Sequence, residues 1–345
     1  MQHEVIAEQD LLNEKGIIKE PGWARKPVWK YQREAIRAPW FRRKEWDYYL
    51  ITNAQYGVAF TISDLGYAGL ISASFLDFEK KEETTKTRME AFPRKNKYEL
   101  STNSNEEHCF VKSKAVHMSF IKEGNQRSIR CKWKHFLGEE DLVAVIWLTE
   151  PAMDSMCIAT NWREKPTAFY YNEKKNCMPA RGKVKIGDRE ILLEEKSAFG
   201  VLDWGRGVWT YDNTWYWCTG SGMLDGKPFG FNLGYGFSDR SQASENVIFY
   251  NGVAHKLDEV TFHIQKNSKK EFLFEKTWKI TSFDGRISGF FEPILDRKAE
   301  IDLKCIISNQ HQVFGRMQAQ VVLDDGTALL VKDFLCAIEV VHNRY

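Results

Sequence analysis

The sequence lacks most of the motifs that mark nucleotide-binding, metal-dependent or disulfide-linked proteins. Its seven cysteines are odd in number and include no CxxC pair, so neither a disulfide framework nor a zinc cluster is expected. The eight histidines form no HxH, HxxxH or HExxH motif. No GxGxxG turn, Walker A loop or GxSxG elbow occurs either. We therefore expect reduced thiols and a protein that works without a metal ion or another cofactor.

An excess of charge of one sign and a long apolar run are also missing. The 49 basic and 47 acidic residues leave a formal charge of +2, which argues against a broad electrostatic grip on nucleic acid or membrane. The longest apolar runs, such as residues 142–148, have the length of a strand and not of a membrane helix. The first residues do not resemble a signal peptide. These features predict a cytoplasmic protein with no integral membrane segment and no nucleic-acid partner, and they leave its oligomeric state open.

What the sequence does contain is a β pattern over most of its length. Strand-like runs recur from Trp46 onwards, roughly 8–15 residues apart, and no long helical period interrupts them. Prolines and turns make residues 1–45 look irregular. A second series of strands begins near Lys183. The pattern predicts an all-β protein with an irregular N-terminal wrap (1–45), a first β-barrel domain (46–180) and a second β-barrel domain (181–345).

One segment concentrates aromatic residues beside two charges. Four of the 12 tryptophans fall within residues 203–217, together with Asp203 and Arg206. Asp203 could be held ionised by Arg206, or kept neutral by apolar walls so that it acts as a general acid. The alternative, equally supported by the residues alone, is a structural Asp203–Arg206 ion pair between the domains. Trp215 and Trp217 are two positions apart, so they share one strand face.

A second segment, residues 230–237, reads as a glycine-rich strand. Period two places Asn232 with the glycines on one face and Tyr235 on the other. Glu245 immediately precedes an apolar strand, so we expect it to point into a cavity mouth. Asp333 and Glu339 stand on apolar strand faces near the C-terminus. Such acids are more often structural than catalytic.

These segments resemble a mainly bacterial family catalogued as domain of unknown function 2804. The matching stretches run in order along nearly the whole chain. Ala319 and Cys336 stand where the resemblance leads us to expect glycine. The stretches are 22–27 (GWARKP), 203–209 (DWGRGVW), 232–237 (NLGYGF), 245–246 (EN) with 251–257 (NGVAHKL), and 311–315 (HQVFG) to 325–326 (DG).

The resemblance implies a fold of two lipocalin-like antiparallel β-barrels. It also implies distant kinship with carotenoid 1,2-hydratases, tocopherol cyclases and lipocalin-like fungal cyclases. Those enzymes act on large hydrophobic molecules by acid–base chemistry, without a metal or a redox cofactor. The family itself carries no settled activity.

The residues and the resemblance together favour a cofactor-independent lyase, hydratase or isomerase for a hydrophobic or aromatic small molecule. Asp203 or Glu245 would supply the proton, and Arg206 would orient a polar group or tune the acid. A non-catalytic lipocalin-like carrier or sensor of a hydrophobic ligand is the alternative, and a carbohydrate-binding or carbohydrate-active protein is a second one. The predicted ligand-binding residues are Trp204, Trp209, Tyr211, Trp215, Trp217, Asn232 and Tyr235.

Overall fold

The computed structural model describes residues 2–93, 97–302 and 307–344, and nearly all of its regular structure is strand. Apolar and polar residues alternate along many of these strands. In the strand Gln126–Leu137, for example, Ile129, Cys131 and Trp133 are buried while Arg130 and Lys132 between them are exposed. This period-two pattern buries one face of a strand and leaves the other in solvent. The predicted all-β class is confirmed.

The N-terminal segment contains short elements and binds to both halves of the molecule. The Nη1 of Arg25 donates to Asp154 Oδ2 at 2.9 Å and to the carbonyl of Ala254 at 2.7 Å. Its strands are β1 (Gln9–Asp10), β2 (Gly22–Ala24) and β3 (Trp29–Lys30), and the 3₁₀ helices of the described residues span Arg33–Ala35, Trp40–Arg42 and Ser104–Glu106. None of these helices is long and apolar enough to cross a membrane.

The first large sheet is antiparallel and curls around a core. Its main path has the order β7-β6-β5-β4-β15-β13-β11-β10-β9-β8, with β12 and β14 on β13 and β2 on β12. Its strands are β4 (Arg43–Thr52), β5 (Tyr56–Asp64), β6 (Ala68–Asp77), β7 (Glu82–Ala91), β8 (His108–Lys112), β9 (Val116–Glu123), β10 (Gln126–Leu137), β11 (Glu140–Thr149), β12 (Met156–Asn161), β13 (Phe169–Ile186), β14 (Arg189–Leu193) and β15 (Phe199–Val208).

The second sheet is also antiparallel and curled. Its order is β19-β18-β17-β16-β24-β23-β22-β21-β20. Its strands are β16 (Asp212–Leu224), β17 (Lys227–Tyr235), β18 (Val247–Tyr250), β19 (Val253–Lys256), β20 (Val260–His263), β21 (Trp278–Ser282), β22 (Ile287–Asp302), β23 (Ile307–Val322) and β24 (Ala328–Arg344). The two curled sheets are lipocalin-like barrel domains.

The two sheets divide at a different place from the predicted boundary near residue 181. The strands β13, β14 and β15 all pair within the first sheet, and the second sheet begins with β16 at Asp212. We call residues 209–211, which join β15 to β16, the linker. The hairpin of β13 and β14 has the pattern of a new domain in sequence, but its hydrogen bonds to β11 and β15 place it in the first sheet.

A third apolar cluster joins the outer faces of the two barrels. Tyr48 and Leu76 of the first sheet pack with Trp217, Phe314 and Ala337 of the second. Apolar burial across such an interface holds two domains in one arrangement. The candidate site lies beside this cluster.

The six cysteines within the described residues are free and buried. Cys305 lies outside those residues. Burial raises the pKa of thiols such as Cys131 and Cys157, which keeps them protonated and unreactive.

Candidate functional site

The candidate site lies where a row of polar side chains on one barrel faces a row on the other. In the first sheet, Lys174, Asp203 and Tyr48 are register partners on β13, β15 and β4. Side chains directly opposite in neighbouring strands share a face, so all three point towards the second barrel.

The facing row on the second sheet is made by Trp217, Glu339 and Gln312, register partners on β16, β24 and β23. Tyr48 connects the two rows. Its hydroxyl donates to Gln312 Oε1 at 3.2 Å, and its ring meets Trp217 edge-on at 6.1 Å between centroids.

Lys174 is the cation at the centre of this site. Its Nζ lies 2.8 Å from Asp203 Oδ1, 3.9 Å from Glu245 Oε2 and 4.5 Å from the centroid of Trp217. Asp203 Oδ1 also accepts a hydrogen bond from Asn172 Nδ2 at 2.6 Å. The Lys174 side chain is 3% exposed, and those of Asp203 and Glu245 are each 13% exposed. Asp203 and Glu245, distant in sequence, therefore share one nearly buried ammonium group.

Asn232 positions Glu245. Its Nδ2 donates to the Glu245 carbonyl at 2.9 Å and to Oε2 at 3.1 Å, while its Oδ1 accepts from Trp217 Nε1 at 2.6 Å. Gly234, two residues along β17, leaves room for the carboxylate, since a Cβ there would lie 2.6 Å from Glu245 Oε1. The predicted face of Asn232 and Gly234 is thus the face that receives Glu245.

Glu339 is the third carboxylate of the site. Its Oε1 accepts from Trp215 Nε1 at 2.8 Å, and its Oε2 accepts from Gln310 at 3.2 Å and Gln312 at 3.1 Å. These donors fix the carboxylate on the face of β24 that looks towards Asp203.

Burial raises the pKa values of two carboxyl groups and one phenol of the site. It raises the pKa of Glu245, and the Asp203 charge adds to that rise while Lys174 and Asn232 oppose it. Burial also raises the pKa of Glu339, again with a contribution from Asp203. It raises the pKa of Tyr48 to about 12. Carboxyl groups with raised pKa values beside other titratable groups are typical of acid–base sites.

Aromatic side chains form the wall next to the carboxylates. Trp46 stacks on Tyr170 at 6.3 Å and meets Trp209 at 5.4 Å, and Trp209 meets Trp215 at 5.6 Å. Phe237 contacts this group as well. Ring faces of this kind attract positive charge.

The structure does not bring Arg206 to Asp203. The two residues are three apart on β15, so they project from opposite faces. Arg206 points into the first barrel, where its Nη2 lies 2.9 Å from Asp47 Oδ1 and its guanidinium covers the ring of Trp204 at 4.0 Å. The expected Asp203–Arg206 pair is replaced by Asp203–Lys174, and Arg206 and Trp204 belong to the core of the first barrel.

Two further predicted residues also lie outside the site. Tyr235 is inside the second barrel, stacked on Tyr216 at 4.4 Å. Tyr211 is in the linker, 43% exposed, with Arg42 over its ring at 5.5 Å. The predicted residues that meet at the site are Asp203, Glu245, Trp209, Trp215, Trp217 and Asn232.

Several residues of the site were not predicted from the sequence. Lys174 and Asn172 stand in the run 169–175 (FYYNEKK), where alternation places both on one face of a strand. An amide and a lysine on the same face of a buried strand are the sequence feature that could have identified both residues. Tyr48, Gln312 and Tyr170 carry no such signal, because their roles come from long-range packing.

No group of three or more His, Cys, Asp and Glu side chains among the residues described is arranged to hold a metal ion. The side chains of the site itself are carboxyl, ammonium, amide, phenol and indole groups, which can transfer protons and stabilise charge.

Comparison with known proteins places this chain in a family. A family model described as "Domain of unknown function (DUF2804)" matches residues 2–345. The chain belongs to the DUF2804 family. The resemblance noted in the sequence is thereby confirmed. No curated protein matches this DUF2804 chain.

Solved structures with a similar fold cover most of this DUF2804 protein. A protein provisionally assigned as AttH from Nitrosomonas europaea is 13% identical with a TM-score of 0.53, over 86% of this chain and 92% of that one. Kievitone hydratase from Nectria haematococca is 11% identical with a TM-score of 0.48, over 88% of each chain. At 13% identity, the similarity to the Nitrosomonas europaea protein supports the fold and nothing further.

Proposed function

We propose that this DUF2804 protein is a cofactor-independent acid–base enzyme, a hydratase, lyase or isomerase, for a hydrophobic or aromatic small molecule bound between the barrels. The observation that carries the proposal is the convergence of Asp203 and Glu245 on Lys174, with Glu339 on the facing row. Two nearly buried carboxylates on one lysine, with the buried Glu339 near Asp203, are electrostatically costly to keep charged, and proteins accept such costs mainly at functional sites.

Glu245 is the proton donor in this proposal. Its pKa is raised by burial and by Asp203, so a larger fraction of it carries a proton near neutral pH than for an ordinary glutamate. Protonation of a substrate double bond would create a positive charge, which ring faces of the aromatic wall such as that of Trp215 would stabilise.

Asp203 is the base. In a hydration, a water molecule adds to the cation and Asp203 takes its proton. Return of that proton from Asp203 to Glu245 restores both groups, so that the net change is addition of one water. In an isomerisation, Asp203 removes a proton from the neighbouring carbon instead. Lys174, 2.8 Å away, would hold the Asp203 carboxylate in place.

The experiment is a screen for solvent-derived atoms in recovered products. The protein is incubated with apolar alkenes, enones and prenylated phenols in D₂O, and the products are examined by mass spectrometry. Turnover should introduce deuterium at carbon. Glu245→Gln and Asp203→Asn should each lower that rate about 10²–10⁴-fold, as is usual for loss of a general acid or base. Glu139→Gln, at a side chain that is 95% exposed, is the control and should be unaffected.

A lipocalin-like carrier is the second candidate, because the fold itself suits a hydrophobic ligand and the site is nearly closed. Native mass spectrometry of freshly purified protein separates the two. An intact ligand that is retained, with no deuterium uptake by it or by any compound of the screen, would favour the carrier and contradict the enzyme.

A further inference from the structure

Three large aromatic side chains stand in solvent at one end of the first barrel. Trp40 is 59%, Phe41 42% and Phe92 73% exposed. They form one group, in which Trp40 lies 6.0 Å from Phe41 and 6.4 Å from Phe92 between ring centroids. We call these three residues the aromatic tip. Contiguous exposed aromatics on a water-soluble surface usually mark an interaction site.

The backbone holds Phe92 in an unfavourable conformation. Phe92 follows β7 directly and has φ of +48°, a left-handed conformation that is rare for a bulky residue. Its amide donates to the carbonyl of Tyr67 at 2.8 Å. The strained backbone does not bury the Phe92 side chain, which is 73% exposed. This points to a role other than stabilising the fold.

Exposed arginines accompany the aromatic tip. Of the five basic residues in 33–44, Arg33 and Arg43 are paired with the carboxylates of Glu45 and Asp64, and Lys44 is buried. The guanidinium of Arg42 lies over Phe41 at 5.6 Å. Arg37 and, on β7, Arg88 are exposed. The positive charge that lies against the exposed rings is therefore that of Arg42.

The aromatic tip is linked to the candidate site by further rings. The carbonyl of Arg42 accepts from the Trp209 amide at 3.2 Å. Trp209 meets Trp215, whose indole donates to Glu339. A hydrophobic ligand that arrives at the aromatic tip would thus be close to an aromatic path towards the carboxylates.

We propose that the aromatic tip docks this protein on the surface of an anionic lipid bilayer. Tryptophan and phenylalanine side chains insert at the headgroup level, and arginines such as Arg42 beside Phe41 are attracted to anionic lipid. Loop residues at a barrel end can enter a bilayer without disturbing strand pairing. A stable protein dimer needs about 20–30 residues on each side, which far exceeds three side chains. The inference does not require the proposed enzyme activity.

The test is co-sedimentation of the full chain with vesicles of phosphatidylcholine alone and of phosphatidylcholine with phosphatidylglycerol. Binding should appear with the anionic vesicles and weaken as salt is raised. Trp40→Ala combined with Phe92→Gly should weaken it at least about tenfold, since each ring contributes apolar burial. Phe283→Ala, at an aromatic that is 87% exposed on the second sheet, is the matched control and should bind like the unmodified protein.

The Phe92→Gly variant separates docking from folding. Glycine tolerates positive φ, so this substitution should leave thermal stability equal or higher while it weakens vesicle binding. Arg37→Gln with Arg88→Gln should weaken binding to anionic vesicles, whereas Lys269→Gln with Lys270→Gln should not.

Equal sedimentation with both vesicle types, no sedimentation with either, or binding unaffected by the tip variants would each overturn the proposal. A concentration-dependent dimer in analytical ultracentrifugation that Trp40→Ala abolishes would replace it with self-association. These measurements use no substrate, so their failure leaves the proposed activity to its own test.

Discussion

At the scale of single residues, β15 carries a charged side chain on each of its two faces, and each has its own partner. Asp203 faces the second barrel and Lys174, while Arg206 faces inwards to Asp47. Inside the first barrel, Glu107 accepts from Arg127 Nη1 at 2.9 Å and from the Tyr49 hydroxyl. Buried ion pairs of this kind fix geometry and contribute little net stability. The inner network belongs to the core of the first barrel, and the outer one forms the candidate site.

Glu107 makes the stability of the first barrel depend on pH. Burial raises its pKa, and the charge of the neighbouring Asp47 adds to that rise. A carboxyl group whose pKa is raised on folding stabilises the fold below its unfolded pKa, and this stabilisation is lost as pH rises through its folded pKa. Unfolding by urea should therefore show a midpoint that falls from pH 5 to pH 9.

Glu107→Gln should flatten that pH dependence, because the amide cannot ionise. Glu139→Gln, on the surface, should keep the slope of the unmodified protein. Equal slopes for all three proteins would show that Glu107 is already ionised at neutral pH.

At the scale of strands, small residues decide where side chains can meet. The glycines of β17 lie on the face opposite the core of the second barrel, and Gly234 accommodates Glu245 there. Gly205 on β15 similarly lies against Trp46, since a Cβ at that position would be 2.0 Å from the indole ring. A strand with apolar side chains on one face and glycines on the other can pack against a core and also leave room for a site.

Gly234→Ala should disturb the site without removing any of its functional groups. The new methyl group would displace the Glu245 carboxylate from Asn232 and Lys174. We expect turnover, or ligand affinity in the absence of turnover, to fall on the order of 10–100-fold. Gly222→Ala on β16 is the control, because its Cβ would meet only the Phe334 ring at 3.1 Å. A fall of the same size in both variants would contradict a specific effect on Glu245.

At the scale of the whole molecule, the two barrels act as one body because buried polar groups cross the interface. Asn176 lies at the bulge of β13, between Lys175 and Met178. Its Nδ2 donates to Thr219 Oγ1 at 3.0 Å and to the carbonyl of Phe231 at 3.2 Å. The N-terminal segment adds a second connection through Arg25. The site between the barrels depends on both.

Asn176→Ala should weaken the coupling between the barrels. The loss of a buried amide that leaves acceptors unpaired costs about 1–3 kcal/mol. Chemical unfolding followed by tryptophan fluorescence should shift to lower denaturant and become less cooperative. Asn125→Ala, in an exposed turn, should leave the transition unchanged. A simple shift with full cooperativity would mean that other contacts hold the barrels together.

Much of the fold followed from local pattern, and part of the site did as well. The alternation of residues predicted an all-β chain, and short motifs pointed to the family. The sequence predicted Asp203 and Trp217 as site residues because they lie in an aromatic-rich segment. It predicted Asn232 from its glycine-rich strand and Glu245 from its place before an apolar strand. Arg206 lies away from Asp203 because a spacing of three residues on a strand puts two side chains on opposite faces.

The sequence by itself determined which residues are strand, and which of them share a face, because side chains alternate along every strand. Only the tertiary structure decided which faces meet. Lys174 becomes the partner of Asp203 through the register of β13 with β15, and Glu339 faces them through the packing of two barrels. Register and packing depend on hydrogen bonds and apolar contacts between residues far apart in the chain. No local pattern contains that information.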